Sequence, residues 1–192
     1  VSAKFVESFN KIAAKIEYHN LRDNSKVFAV TSIAENEGKS TVSSNLALSL
    51  ARKGNRVLLM DMDGKKPAIY KLFGCSYVEN AELGELFNGE ISSTNYKLRQ
   101  YKKTNLFLAI NTHAYANSYK WIESGMSKKI VKSLKNMVDY IILDTAPISV
   151  DSSVNEIIKI ADETILVVKT DTVETASIND AILTITDVSD NL

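Results

Sequence analysis

Stretches of consecutive apolar residues alternate with amphipathic stretches along most of this chain. Each apolar stretch is short and lacks the apolar–polar alternation of a half-exposed strand, which predicts strands that are buried on both faces. Five such strands are predicted, at 26–32, 56–61, 105–110, 139–144 and 163–169. Helices are predicted at 39–53, 120–137, 155–161 and 173–188. Strands that alternate with helices in this way predict an α/β fold with a mainly parallel β-sheet flanked by helices on both faces.

The two ends and the middle of the chain add to this pattern. Residues 1–20 carry apolar side chains at spacings of four, three and four, which predicts an N-terminal amphipathic helix. After the last predicted helix the alternation calls for a further strand, which would lie beyond Leu192. Residues 74–104 are less regular and suggest only a short helix around Leu83. No repeat or linker interrupts the chain, so we expect a single domain over 1–192.

Composition narrows the class of protein. The chain has 192 residues, 45% of them hydrophobic and 24% charged, which is typical of a folded globular domain. Basic and acidic residues each number 23, and because this balance lacks the basic excess of most nucleic-acid-binding proteins, no nucleic-acid partner is expected. Cys75 is the only cysteine, which excludes an internal disulfide. No apolar run approaches the roughly 20 residues of a membrane span and no signal-peptide pattern opens the chain, so we expect a soluble, cytoplasmic protein.

A phosphate-binding loop is predicted between the first strand and the helix that follows it. Gly38-Lys39-Ser40 lies there, and backbone N–H groups at a helix N-terminus attract phosphate oxygens. Lys39 is expected to bridge the β- and γ-phosphates of a nucleotide and the Ser40 hydroxyl to ligate Mg²⁺. Ile33 stands where the strict P-loop pattern has glycine, so the tripeptide taken alone also fits an ordinary helix start. The predicted nucleotide-binding residues are Asn36, Glu37, Gly38, Lys39, Ser40 and Thr41.

Carboxylates end two of the other predicted strands. Asp61 and Asp63 follow one, and Asp144 ends another. Because the carboxyl ends of parallel strands meet at one edge of a sheet, these side chains are expected near the phosphate loop. Mg²⁺ prefers oxygen ligands, whereas a single aspartate at a strand end could equally cap a helix or form a turn. Three carboxylates together with the loop predict one Mg²⁺–nucleotide site in a fold of the P-loop NTPase type.

Together these motifs resemble the bacterial tyrosine kinase (BY-kinase) family, the cytoplasmic ATPase domains associated with capsule and exopolysaccharide export. The resemblance extends over nearly the whole chain. Four segments carry it: Glu-Gly-Lys-Ser-Thr at 37–41, Val-Leu-Leu-Met-Asp-Met-Asp at 57–63, Asp-Tyr-Ile-Ile-Leu-Asp-Thr-Ala-Pro at 139–147, and Ile-Leu-Val-Val-Lys at 165–169.

The resemblance assigns a role to each site residue. Lys39 and Ser40 take the Walker A roles, Asp61 and Asp63 the Walker A′ roles, and Asp144 the Walker B role. The implied catalytic residues are Lys39, Asp61 and Asp63, with Asp61 as the base that takes the proton of a tyrosine hydroxyl. The implied metal ligands are Ser40, Asp63 and Asp144. The implied activity is that of an ATP- and Mg²⁺-dependent, autophosphorylating protein-tyrosine kinase that regulates capsular or exopolysaccharide biosynthesis.

Partners also follow from the resemblance. It implies a transmembrane activator, a polysaccharide co-polymerase whose cytoplasmic tail recruits the domain to the inner face of the membrane. It further implies a tyrosine substrate on this or a companion chain, and a homo-oligomer. The family's tyrosine-rich tail would lie beyond Leu192. This chain departs from the family's usual residues at several positions. Asn36 stands in place of a glycine, Gly64 in place of a larger residue, and Lys65 and Lys66 in place of arginines. Asn10 and Ala13 stand at the positions of the ring-forming arginines.

Two other functions fit parts of the pattern. One is a non-kinase ATPase switch like the Min and Par proteins, although those carry a second lysine early in the loop, where this chain has Ile33, Ala34 and Glu35. The other is a nucleotide-binding scaffold with negligible phosphoryl transfer, which the substitutions at Asn36 and Lys65 suggest.

Other reactive residue types have no supporting pattern. His19 and His113 lack neighbouring ligands at metal-binding spacing, and Cys75 has no activating neighbour. Trp121, next to an isoleucine, is expected to pack in the interior rather than to bind a ligand.

Overall fold

Six strands form one sheet, and eight helices cover it, in a computed structural model that describes residues 2–189. Val1 and residues 190–192, which belong to the expected domain, lie outside the described residues. The strands are β1 (Val27–Ser32), β2 (Val57–Asp61), β3 (Arg99–Gln100), β4 (Leu106–Ala109), β5 (Tyr140–Asp144) and β6 (Glu163–Val167). The helices are α1 (Ala3–Asp23), α2 (Lys39–Arg52), α3 (Ile69–Phe73), α4 (Leu83–Phe87), α5 (Tyr119–Glu123), α6 (Met126–Leu134), α7 (Val154–Ile158) and α8 (Thr175–Val188).

The strand order places β5 at the centre of the sheet. The order is β3-β4-β2-β5-β1-β6, and every pair is parallel except β3 with β4. Asp144, the last residue of β5, lies opposite Asp61 of β2 and opposite Val30 of β1. The loops that follow β1, β2 and β5 therefore leave the sheet side by side. The predicted α/β fold with a mainly parallel sheet is confirmed.

The strands are apolar throughout because each face of the sheet contacts a different layer of helices. On one face Leu59 and Ile142 pack beneath α1 and α2, which contribute Ala13 and Leu50 among others. On the other face Met60 packs with the buried side chains of α4, α5 and α6. Successive side chains of a strand point to opposite faces, so burial on both sides needs an unbroken apolar run.

α1 packs along α2 and supplies the first of these layers. Its N-cap is Ser2, whose hydroxyl accepts the N–H of Phe5. Polar contacts join the two helices. Ser49 donates a hydrogen bond to Asn10 at 2.7 Å, and the Glu17 carboxylate accepts hydrogen bonds from Lys53 and Asn55. The predicted N-terminal helix is confirmed and extends three residues further, to Asp23.

The structure differs from the sequence-based expectation in the less regular parts of the chain. The single helix predicted at 120–137 is broken by Gly125, whose φ of +69° ends one helix and starts the next. α3 and the two-residue β3 were not predicted, because neither is long enough to show a period. Trp121 is buried in the core, as expected. Within residues 2–189, no helix combines the length and the apolar character that a bilayer crossing requires.

Candidate functional site

The loop between β1 and α2 has the backbone shape of a phosphate-binding loop. Asn36 and Gly38 have φ angles of +64° and +92°, so the chain turns sharply before α2 begins at Lys39. Asparagine tolerates this left-handed region better than most residues, which explains how Asn36 replaces glycine. The first N–H groups of α2 then face the cavity beside the loop, together with the positive end of the helix dipole.

The side chain of Glu37, a predicted nucleotide-binding residue, supports the loop from behind. Its side chain is buried, and its two carboxylate oxygens accept the backbone N–H groups of Ala34 at 2.7 Å and of Lys169 at 3.4 Å. The second contact comes from the segment after β6, so it ties the loop to a distant part of the chain. Glu37 therefore shapes the loop, and its carboxylate has no free oxygen directed at a nucleotide.

Four of the predicted site residues meet at the carboxyl edge of the sheet. Lys39 Nζ lies 3.3 Å from Asp63 Oδ2 and 3.9 Å from Asp144 Oδ2. The Ser40 hydroxyl donates to Asp144 Oδ2 at 2.7 Å. Ser43, which was not predicted, donates to Asp144 Oδ1 at 2.7 Å. Its position one turn after Lys39 on the same helix face is the signal that could have identified it.

Asp61 lies next to this group but is directed away from the cavity. Its side chain is fully buried, and its Oδ2 accepts the N–H groups of Ala68 and Ile69 at 3.1 and 3.2 Å, at the start of α3. Oδ1 has no hydrogen-bond partner among the described residues. Burial, with the neighbouring Asp144 charge, raises the pKa of Asp61 well above its usual value. Burial likewise raises the pKa of Asp144, against the opposing influence of Lys39.

A cavity of about 340 Å³ opens in front of these side chains. Of the predicted nucleotide-binding residues, all except Glu37 line it, and Asp63 lines it too. Two ion pairs cross its far wall: Lys65 to Asp151 at 2.8 Å and Lys66 to Glu35 at 2.6 Å. Lys65 and Lys66, which stand where the family usually has arginine, therefore line the cavity with their charges balanced by Asp151 and Glu35.

Gly64 allows the loop after β2 to pack tightly against α5. A Cβ atom at this position would lie 2.4 Å from Ser118 Cβ and 2.6 Å from the Trp121 ring. The Gly64 carbonyl also accepts the N–H of Tyr115 at 2.7 Å. The small residue at position 64 is thus explained by the indole that occupies the space of a side chain.

One further cluster of ligating side chains lies away from the cavity. His19, Asp23 and Glu163 bring one ligand atom each within 4.8 Å of the others, contrary to the expectation that His19 has no such neighbours. Each already has a protein partner: His19 pairs with Glu163 at 2.7 Å, and Asp23 pairs with Arg22 at 2.6 Å. His113 lies 3.6 Å from the buried carboxylate of Glu82.

The donor set at the cavity fits a divalent cation and a phosphate chain. Asp63 and Asp144 share one lysine, and a divalent cation in the cavity would balance the remaining negative charge. Ser40, Asp63 and Asp144 supply the oxygen atoms that Mg²⁺ prefers. The backbone N–H groups before α2 and the Lys39 ammonium supply the donors that phosphate oxygens need.

Comparison with known proteins agrees with this chemistry. The AAA domain family matches residues 25–192. The tyrosine-protein kinase CpsD of Streptococcus agalactiae is 33% identical over 76% of this chain and 62% of its own length. CpsD of Streptococcus pneumoniae is 31% identical over 87% of this chain and 72% of its own. The crystal structure of the VpsO kinase domain superposes with a TM-score of 0.82 at 25% identity, over 98% of this chain and 93% of that one. The chain thus spans about 62% of the length of the first of these relatives.

Proposed function

This chain belongs to the bacterial tyrosine kinase family of P-loop ATPase domains, and from that membership we propose that it transfers the γ-phosphoryl group of Mg-ATP to protein tyrosine in the control of capsular or exopolysaccharide biosynthesis. The observation that carries the proposal is the meeting of Lys39, Ser40, Asp63 and Asp144 at one cavity. The chemistry of phosphoryl transfer needs mainly positioning and charge neutralisation, and these four side chains supply both.

The residues of this chain divide the work of the reaction. The N–H groups of the loop and Lys39 hold the β- and γ-phosphates, and Ser40, Asp63 and Asp144 would hold Mg²⁺, which neutralises phosphate charge when bound. In the transfer, the tyrosine oxygen forms a bond to the γ-phosphorus while the bond from that phosphorus to the β–γ bridging oxygen breaks. ADP leaves, and the hydroxyl proton passes to a carboxylate.

The proposed proton acceptor is Asp61, the first acid of the pair after β2. Its Oδ1 has no hydrogen-bond partner among the described residues, so that atom has the capacity to accept a proton. The carboxylate is nevertheless fully buried behind the start of α3. Its other oxygen is held by the N–H groups of Ala68 and Ile69, whereas Asp63 lines the cavity directly.

The proposed partners of this chain follow from its family membership. The domain would act on tyrosines of its own tail or of a companion chain, and the cytoplasmic tail of a transmembrane activator would recruit it to the membrane. Homo-oligomers are part of this proposal, but not through the family's usual arginines. Asn10 accepts a hydrogen bond from Ser49 and Ala13 is buried, so neither position presents a charge to a second copy.

One assay tests the proposal against its two alternatives. The protein is incubated with ATP labelled on the γ-phosphate, with and without the cytoplasmic tail of a candidate activator. Labelled phosphotyrosine on this or a companion chain is the expected product. Free phosphate alone would indicate an ATPase switch instead, and neither product despite measurable ATP binding would indicate a scaffold.

A further inference from the structure

A second cavity, of about 530 Å³, lies at the other end of α2 from the phosphate loop. Residues of the last turn of α2 and of the turn between β3 and β4 line it. Because α2 has 14 residues and each adds about 1.5 Å, the two cavities are separated by roughly 20 Å. A ligand in the second cavity therefore cannot contact the phosphates of a nucleotide in the first.

The charges that line the second cavity are all positive. Arg52, Lys102 and Lys103 border it, and no carboxylate does. Within residues 2–189 none of the three cations has a hydrogen bond or an ion pair; Lys102 Nζ only lies 5.1 Å above the Tyr101 ring. Lys53, the residue after Arg52, is by contrast paired with Glu17. In a chain of zero net charge, three unneutralised cations around one cavity favour an anionic ligand.

The remaining lining suits an aromatic group. Leu48 and Ala51 of α2 supply apolar surface, and Tyr101 supplies a ring on the opposite side. That ring is held edge-on against Phe73 with 4.8 Å between centroids. The turn itself is fixed, because Thr104 Oγ1 donates to the Tyr101 carbonyl at 2.6 Å and Tyr101 N–H donates to Leu106 at 2.9 Å. The lining is therefore largely formed before any ligand binds, which lowers the entropic cost of binding.

We propose that this cavity is a docking site for a phosphotyrosine side chain of a partner peptide. The phosphate would lie among Arg52, Lys102 and Lys103, and the phenyl ring would lie on Leu48 and Ala51 beside Tyr101. A phosphoserine has no ring to fill the apolar part, so the site selects the aryl phosphate. That the ligand is a product of this chain's own reaction rests on the proposed function; the binding itself does not.

The experiment measures binding by fluorescence anisotropy, in the absence of nucleotide. The probe is a labelled peptide with one phosphotyrosine, and two matched peptides carry tyrosine or phosphoserine at the same position. We expect saturable binding of the phosphotyrosine peptide, and binding at least about tenfold weaker for both matched peptides. Lys103→Glu should weaken phosphotyrosine binding at least about tenfold with unchanged thermal stability and unchanged ATP turnover.

Lys128→Glu is the matched control, because Lys128 is an exposed lysine on α6, outside the cavity. It makes the same change in net charge and should alter binding less than about twofold, since exposed charges at a distance are screened by salt. Equal weakening by both variants would overturn the proposal in favour of a general charge effect.

The other binding measurements also test the proposed phosphotyrosine site. Equal affinity for phosphoserine, or binding only to anionic phosphatidylserine vesicles, would contradict a phosphotyrosine site. No binding of any probe would mean that Arg52 serves only to offset the negative C-terminal end of the α2 dipole. Phosphotyrosine binding by a protein that proves inactive in the labelled-ATP assay would leave this site standing and remove the proposed function alone.

Discussion

Aspartates serve opposite purposes at the two edges of the sheet. At the carboxyl edge Asp61 and Asp144 lie opposite each other on adjacent strands, both fully buried, and burial raises the pKa of each. At the amino edge Asp162 accepts the N–H groups of Lys26 and Val27, which open β1, at 2.8 and 2.9 Å. It also pairs with Lys135 at 2.7 Å.

The pKa of Asp162 reflects this second arrangement. Partial burial of the carboxyl opposes ionisation, but the hydrogen bonds from Lys135 and from the two backbone N–H groups outweigh it and hold the pKa below 3.8. Asp139 plays a similar part, since its carboxylate accepts the N–H of Arg56 at 2.7 Å just before β2. At the amino edge, therefore, ionised Asp162 stabilises the fold.

The difference indicates that the aspartates at the carboxyl edge serve the proposed reaction rather than the stability of the fold. Buried carboxylates that lie opposite each other cost free energy in the unliganded protein, even where hydrogen bonds partly compensate them as at Asp144. Substitutions at the two edges should separate activity from stability.

The sharpest contrast is between two lysines. Lys39→Met should lower phosphotyrosine formation at least about 100-fold, because the donor to the β- and γ-phosphates is lost, while the domain stays folded. The readout is labelled phosphotyrosine, with circular dichroism to check folding. Lys135→Met at the amino edge is the control and should keep full activity, since the Lys135 ammonium pairs with Asp162 at the opposite edge of the sheet. Full activity of the Lys39 variant would show that the site is wrongly assigned.

Asp144→Asn tests whether the carboxyl edge costs stability. The variant should lose activity about 100-fold, because a proposed Mg²⁺ ligand is replaced by a weaker one. Its free energy of unfolding, measured by urea denaturation in chelator, should equal or exceed that of the wild type, because a buried charge is removed. A clear loss of stability would mean that this edge is as well compensated as the amino edge.

Gly64→Ala tests the packing that holds the loop after β2 in place. The added methyl would overlap Ser118 and Trp121, and such overpacking typically costs about 1–3 kcal/mol of unfolding free energy. In a Trp121→Leu background the same substitution should cost less, which a double-mutant cycle measures. An equal cost in both backgrounds would show that the indole is not the obstacle.

Asp162→Asn should have the smallest effect, and only on stability. We expect a loss of about 1 kcal/mol near neutral pH, because a partly exposed charge is screened by solvent. Since the folded-state pKa is depressed, the wild type has this stabilisation above pH 3.8 and loses it as pH falls through the folded-state value. The difference between the two proteins in urea denaturation should therefore shrink as the pH falls below 3.8. A difference that stays constant as the pH falls would assign the effect to shape rather than to charge.

The sheet and the meeting of the key side chains could be predicted from the sequence. Runs such as 56–61 were placed within one residue of the observed Val57–Asp61, because burial on both faces leaves an uninterrupted apolar pattern. Lys39, Ser40, Asp63 and Asp144 were expected together because parallel strands bring their carboxyl ends to one edge. The first inference depends on periodicity, and the second on the Gly-Lys-Ser motif and on the position of the aspartates at the ends of strands.

The direction of each side chain could not be predicted in the same way. Glu37 lies within the phosphate loop but turns towards Lys169, a contact that no local pattern records. Asp61 accepts from the start of α3, a five-residue helix too short to show a period. The fit of Trp121 over Gly64 likewise joins two segments that are remote in sequence. Such contacts depend on tertiary structure, which apolar periodicity does not encode.

The central place of β5 bears on how the protein is made on the ribosome. β1 and β2 are early in the chain, yet they do not pair with each other. Each pairs with β5, which lies between them and is synthesised later. Until Tyr140–Asp144 has left the exit tunnel, two strongly apolar strands have an open edge and are exposed to chaperones or to premature association. Translation speed over the stretch that separates β2 from β5 should therefore govern the yield of soluble protein.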